Sequence, residues 1–353
     1  MIGEVNRQGA MGDDMKTNIE NIAFLILRTI LSIIASVILL SVFVYFYNDT
    51  GVHIRNDTGA TDYKWEPYQR KSTMIEGFSI ITMDQFGFNN LEADHQVDIL
   101  LMGSSQMEAV HVKQTESPAF LMNQMTSDYV YNIGMSGHTI YNCFYNLFDA
   151  VSFYNPTKYV IIVIDNAKLD VEKMNSVIDG TWTRIPSYDS GVFYTLQKYC
   201  PIVKSLYKKI DEWIDNDSIL NSCFTNSTTE IVSNVESDAY TRALNEFIGF
   251  AAESIGNHEM KLIIVFQPQL GIDDEGNAYV REDFDAIKQF NIACENNNVI
   301  FLDLSDAFLD MYQHTHLLPH GFINTGIGSG HLNRYGYEVL TDSVMNVIER
   351  DKK

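Results

Sequence analysis

The sequence predicts an α/β fold: a three-layer α/β/α sandwich on a five-stranded parallel sheet, preceded by one N-terminal transmembrane helix. Three observations carry this expectation: five short apolar runs of strand length, helix-length segments between them, and one long uncharged stretch near the N-terminus. Nearly continuous apolar strands alternating with helices are what a parallel sheet covered on both faces requires.

The five runs are Val97–Met102, Tyr129–Ile133, Tyr159–Ile164, Lys261–Phe266 and Val299–Leu304, most of them rich in β-branched residues. Segments of helical length and pattern lie between and around them, at Pro118–Thr126, Thr139–Phe153, Asp238–Ile255 and Glu282–Asn296. The spacing breaks once, after the third run, where residues 167–258 replace an ordinary crossover. We read them as a helical and loop insertion, a candidate lid or substrate platform. Its aromatic residues Trp182, Tyr188 and Tyr194 suit either stacking on a sugar ring or packing between helices.

From Thr29 to Tyr47 the chain reads TILSIIASVILLSVFVYFY without a charge. At about 1.5 Å per residue, such a run crosses the hydrocarbon core of a bilayer. We assign 1–21 to a polar flank, 22–47 to the anchor, 48–75 to a turn-rich linker and 76–353 to the folded domain. No small-x-small cleavage site follows the run, so an uncleaved anchor is expected. Arg28 is placed to snorkel at one interface, and Phe43, Tyr45, Phe46 and Tyr47 suit the aromatic belt of the other. Basic residues stand on both sides of the run, so the positive-inside rule orients it only weakly. A first helix followed by a large domain commonly acts as a signal anchor, which puts the domain outside the cytoplasm.

The chain has 353 residues, 46% of them hydrophobic, which is ample for a packed core. Lys and Arg number 24 against 46 Asp and Glu, a net charge of -22 that repels phosphate backbones and sets nucleic acid aside as a partner. The four cysteines, Cys143, Cys200, Cys223 and Cys294, form no CxxC pair, which argues against a zinc site or a dense disulfide framework. Buried free thiols are the simplest reading, with a Cys200–Cys223 bridge open in an oxidising compartment.

The chemistry-bearing residues cluster at predicted strand ends. In DILLMGSSQMEAV, Gly103, Ser104 and Ser105 follow the first strand, where the chain must turn sharply into a helix. Serine there suits two roles, a helix cap or a hydroxyl lifted above the sheet edge as a nucleophile. After the second strand comes YNIGMSGHT, where Gly137 can bring a backbone N–H close to a ligand. After the third comes VIIVIDNAKLD, where Asn166 offers an amide donor. GSGHLNRYGYEVL then puts His331 in a glycine-rich loop before the last helix.

Ser105, Gly137, Asn166 and His331, in this order and setting, resemble the SGNH (GDSL-like) hydrolase superfamily over roughly residues 95–350. The resemblance implies Ser105 as nucleophile, with Ser104 where many members have aspartate, and His331 as general base. It implies an oxyanion hole made of the Ser105 N–H, Gly137 and Asn166. It calls for no metal and no cofactor. Members usually carry an aspartate three residues before the histidine, and here that position is Gly328. Three sources for the group orienting His331 stay open: Asp303, Asp306, or a backbone carbonyl of the NTGIGSG loop.

With its anchor, the chain is similar to membrane-tethered proteins that O-acylate cell-surface polymers, of the lipoteichoic-acid D-alanylation and alginate acetylation types. The function this implies is an extracytoplasmic serine acyl-esterase or O-acyltransferase acting on an esterified envelope glycan or polymer through an acyl-serine. Its implied partners are that polymer and a membrane-bound O-acyltransferase. The alternative is a non-catalytic accessory protein that binds the same partners, a reading the missing aspartate favours.

Two histidine features have plainer readings. His314, His316 and His320 have a spacing that could recruit a metal, but nearby Asp, Glu or Cys do not complete a set, and loop histidines are the expectation. His138 is expected to cap the helix that follows it, with substrate contact as the rival role.

Overall fold

The computed structural model describes residues 5–47, 52–74, 76–92, 96–183, 234–256, 260–326 and 328–353, together with residue 195. Tyr188, Tyr194, Cys200 and Cys223 lie outside the described residues. The first helix, α1 (Val5–Tyr47), carries a stretch, Asn21–Phe43, that is long and apolar enough to cross a membrane and is not buried by the rest of the chain.

The central sheet is α/β and fully parallel. Its strands are β5 (Ile99–Gly103), β6 (Val130–Asn132), β7 (Tyr159–Ile164), β8 (Lys261–Phe266) and β11 (Ile300–Asp303), in the order β11-β8-β7-β5-β6. All five sit where the apolar runs put them. Because side chains alternate along a strand, each run feeds both faces. Leu100, Met102, Ile162, Ile264 and Phe266 point to one core with Phe144, Phe247 and Phe290, while Ile99, Leu101, Val163 and Val265 point to the other with Met122, Phe308 and Leu340.

The first face is covered by α4 (Ile140–Tyr145), α5 (Leu147–Tyr154), α7 (Asn234–Ser254) and α8 (Phe284–Asn296), with α6 (Val171–Ile178) beside them. The second is covered by α2 (Ser105–Glu108), α3 (Pro118–Met125), α9 (Ser305–Thr315) and α10 (Arg334–Asp351). The helix expected over Thr139–Phe153 is two helices that meet at Asn146, which is buried and donates to Asp62 Oδ1 at 3.1 Å. A small hairpin, β9 (Leu270–Ile272) and β10 (Ala278–Val280), follows β8. Cys143 and Cys294 are free thiols inside the first core, and burial pushes the Cys143 thiol up to about 12.

Of the segment expected to be a linker, 48–75, the described residues 52–74 are folded. Residues 52–90 form a lobe of two antiparallel hairpins, β1 (His53–Arg55) with β2 (Tyr63–Trp65) and β3 (Arg70–Thr73) with β4 (Ser79–Thr82). Turn formers such as Asn56 and Gly59 are numerous because the strands are short and turns fill the space between them. Tyr63, Trp65, Ile81, Met83 and Phe88 are buried in the same core as the sheet.

Candidate active site

Gly103 ends β5 where the chain passes between α2 and β7. A Cβ there would lie 2.6 Å from Met107 Cγ and 3.0 Å from the Val163 carbonyl oxygen, so only glycine fits the turn. The two serines that follow divide the two roles open to them. Ser104 is the N-cap of α2, its Oγ accepting from the Gln106 N–H at 3.3 Å. Ser105, the first helical residue, points its hydroxyl at His331 Nε2, 2.8 Å away.

His331 Nδ1 lies 2.6 Å from Glu76 Oε2, and the His331 backbone N–H donates to Glu76 Oε1 at 2.5 Å. A carboxylate can only accept, so the ring proton sits on Nδ1 and Nε2 is left to accept from Ser105. The three side chains are part-buried and form a Ser105–His331–Glu76 relay. Burial works to raise the Glu76 carboxyl, yet the hydrogen bonds from the His331 ring and backbone and the two nearby imidazoles outweigh it, leaving it below the usual glutamate range.

Glu76 reaches His331 from the turn between β3 and β4, and that turn is tied down by the loop carrying the histidine. Asn324 Oδ1 accepts from the Gly77 N–H at 2.9 Å, while its Nδ2 donates to the Met74 carbonyl at 2.9 Å. Gly330, at φ +90°, gives Glu76 its room, since a Cβ there would run into Glu76 Oε1. Gln106 holds the same loop from the Ser105 side, accepting from the Leu332 N–H at 2.8 Å.

Neither Asp303 nor Asp306 orients His331. Asp303 ends β11, the edge strand farthest from β6, and its exposed carboxylate accepts from the Ser305 N–H at 2.8 Å. Asp306 is exposed in the first turn of α9. The backbone-carbonyl alternative is displaced as well, because Glu76 occupies Nδ1. Gly328 has φ +64° and is buried against Leu318, a backbone state that L side chains rarely adopt.

Gly137 and Asn166 stand just beyond β6 and β7, the two strands that pair with β5, so their motifs flank Ser105 along one sheet edge. Gly137 has φ +79°. Asn166 is exposed, and its Oδ1 accepts from the Lys168 N–H at 2.8 Å, which fixes the amide and leaves Nδ2 as the donor end.

The lobe also grips the Gly137 loop. Tyr63 donates its hydroxyl to the Ser136 carbonyl, and Glu108, fully buried, accepts from Trp65 Nε1 and from the Ser136 hydroxyl. Asp62 accepts from Asn142 Nδ2 at 2.9 Å and lies 3.8 Å from His138 Nε2. His138 is therefore a buried neighbour of Asp62, and α4 is capped instead by Thr139 with Asn142. His314 and His316 are exposed, whereas His320 is buried with Nε2 2.7 Å from Gln267 Oε1, so these three do not gather into one site. Trp182 packs against Tyr141, with ring centroids 5.4 Å apart.

One further histidine, absent from the sequence reading, lies over the relay. His111 stacks on His331 at 3.9 Å between ring centroids and 24° between planes, with Nδ1 3.1 Å from the Glu76 carbonyl oxygen. Burial first, and the charge of His331 second, push His111 down to about 4. Burial pushes His320 down to about 4 as well. A histidine with a depressed folded pKa gains its proton on unfolding, so the stability it contributes is full above 6.5 and is lost as pH falls toward 4. Unfolding free energy should therefore fall by about 1.4 kcal/mol per pH unit for each of the two across that window. Urea titrations at several pH values check this, with His320→Phe expected to flatten the slope and an unchanged slope refuting the assignment.

No family model matches the chain, and no curated protein is significantly similar to it. Among solved structures it is similar to TesA, at TM-score 0.37 and 10% identity over 71% of this chain and 98% of that one. It is also similar to an acetyl xylan esterase, AlAXEase, at TM-score 0.38 and 16% identity over 71% and 98% of the two chains. A third is the psychrotrophic esterase EstA from Pseudoalteromonas sp., at TM-score 0.35 and 15% identity over 72% and 98%.

Proposed function

We propose that the protein is a serine acyl-esterase or O-acyltransferase of SGNH type, anchored in a membrane by residues 22–47, with its domain outside the cytoplasm. The observation that carries the reading is the hydrogen-bonded relay from Ser105 Oγ through His331 to Glu76. A part-buried carboxylate on Nδ1 supplies what Gly328 does not, and it weakens the case for a non-catalytic accessory protein.

In the proposed reaction Ser105 Oγ attacks the ester carbonyl as His331 Nε2 takes its proton, and Glu76 stabilises the imidazolium that forms. The oxyanion is received by the N–H groups of Ser105 and Gly137 and by Asn166 Nδ2, each donor worth about 3 kcal/mol in the transition state. His331 gives the proton to the departing alcohol oxygen and leaves an acyl-serine. It then deprotonates water, for hydrolysis, or a sugar hydroxyl, for transfer. Attachment beside a bilayer favours transfer from a membrane-borne donor, and an esterified envelope glycan is the proposed acceptor class, with a membrane-bound O-acyltransferase as supplier of the acyl group.

The test is p-nitrophenyl acetate with the full chain in detergent, followed by mass spectrometry of quenched protein. A burst of nitrophenol and an acetyl mass on the Ser105 peptide are expected, both absent from Ser105→Ala. Folded wild-type protein with no turnover and no adduct would refute the enzyme reading.

A further inference from the structure

We propose that His111, His331 and Glu76 form an inhibitory site for a divalent transition-metal cation of the zinc or cobalt type. The binding stands on the geometry alone, and the inhibition rests on the enzyme reading above.

Each of the three residues offers one ligand atom, and these atoms lie within 4.8 Å of one another. Two imidazoles and a carboxylate are a donor set that Zn²⁺ accepts, with a fourth position left for water. Tetrahedral bonds of about 2.0–2.1 Å set ligand atoms roughly 3.3 Å apart, so ring shifts on the order of 1 Å close the set.

His111 is already prepared as a ligand. Its Nδ1 faces the Glu76 carbonyl oxygen at 3.1 Å, and a carbonyl can only accept, so Nδ1 carries the proton and Nε2 keeps its lone pair. Metal-binding histidines are typically fixed in this way, the second nitrogen donating to a carbonyl or carboxylate. The relay does not use His111, although the ring lies flat on His331. A chain of net charge -22 also raises the local concentration of cations.

Metal capture and catalysis exclude each other here. If His331 gives Nε2 to the cation, it loses the lone pair that takes the Ser105 proton. If it gives Nδ1, the ring proton moves to Nε2, the bond to Glu76 is broken and Nε2 faces Ser105 as a donor. Either way Ser105 is left without an activated base, and removal of the metal restores the relay.

The test uses the full chain in detergent with Zn²⁺ and Co²⁺ as probes. Esterase activity should fall on titration with Zn²⁺ and return with EDTA, and Co²⁺ should develop visible d–d absorption on binding. In His111→Phe, which keeps a flat ring against His331, the half-inhibitory Zn²⁺ concentration should rise at least tenfold relative to that variant's own metal-free rate. The His314→Ala/His316→Ala variant controls for exposed histidines and should match wild type. Equal Zn²⁺ sensitivity in His111→Phe, or its loss in the His314→Ala/His316→Ala variant, would overturn the proposal. Should the chain show no esterase activity at all, the Co²⁺ spectra of wild type and His111→Phe still decide the metal site, so the two failures are told apart.

Discussion

Replacing Glu76 with glutamine is expected to lower kcat by about 10⁴-fold while changing KM little, the size of loss seen when a triad carboxylate becomes an amide. Glutamine keeps the shape but can turn its NH₂ toward Nδ1, which forces the proton to Nε2 and leaves Ser105 facing a donor. It also removes the charge that stabilises the imidazolium. Steady-state kinetics on p-nitrophenyl acetate check this, with circular dichroism confirming the fold. A loss below tenfold would mean that Glu76 does not orient the base. Gly328→Asp in the Glu76→Gln background should not restore the rate, because the left-handed, buried backbone at 328 offers no straightforward route to His331.

The contrast between what was legible and what was not follows from range. The five strands announce themselves because a buried parallel strand is apolar on both faces, and that information is local. Ser105, Gly137, Asn166 and His331 are equally local, each being a motif attached to a strand end or a helix start. Glu76 is different: it sits 255 residues from His331 in sequence, in a segment punctuated by turn formers such as Asn56, Gly59 and Pro67. Its partner loop is recognisable only by glycines, and glycine reports room without saying what fills it. A usable signal did exist in the lobe. The stretches RKST and SIIT flank a short turn holding Glu76, and the apolar positions Ile81 and Met83 alternate on the buried face. The linker expected over 48–75 takes in RKST and stops one residue short of Glu76, so the two stretches are not read together as one hairpin. Glu108 was missed for a related reason, since a carboxylate three residues after Ser105 resembles ordinary helix chemistry until Trp65 and Ser136 are found on it.

Gly330→Ala should cost nearly as much as losing Glu76, although residue 330 takes no part in the chemistry. At φ +90° a Cβ is strained, and here it would also occupy the position of Glu76 Oε1. The carboxylate must swing away, and with it goes the partner of His331 Nδ1, so kcat should fall by about 10³–10⁴-fold. A double-mutant cycle separates this route from general damage. In a Glu76→Ala background the clashing oxygen is already gone, so adding Gly330→Ala should lower kcat by no more than a few fold. If the two losses instead multiply, the alanine acts by distorting the loop and the Ser105–His331 contact directly. If they coincide, the glycine is there to admit Glu76, and the residue before the base is part of how a distant lobe completes the relay.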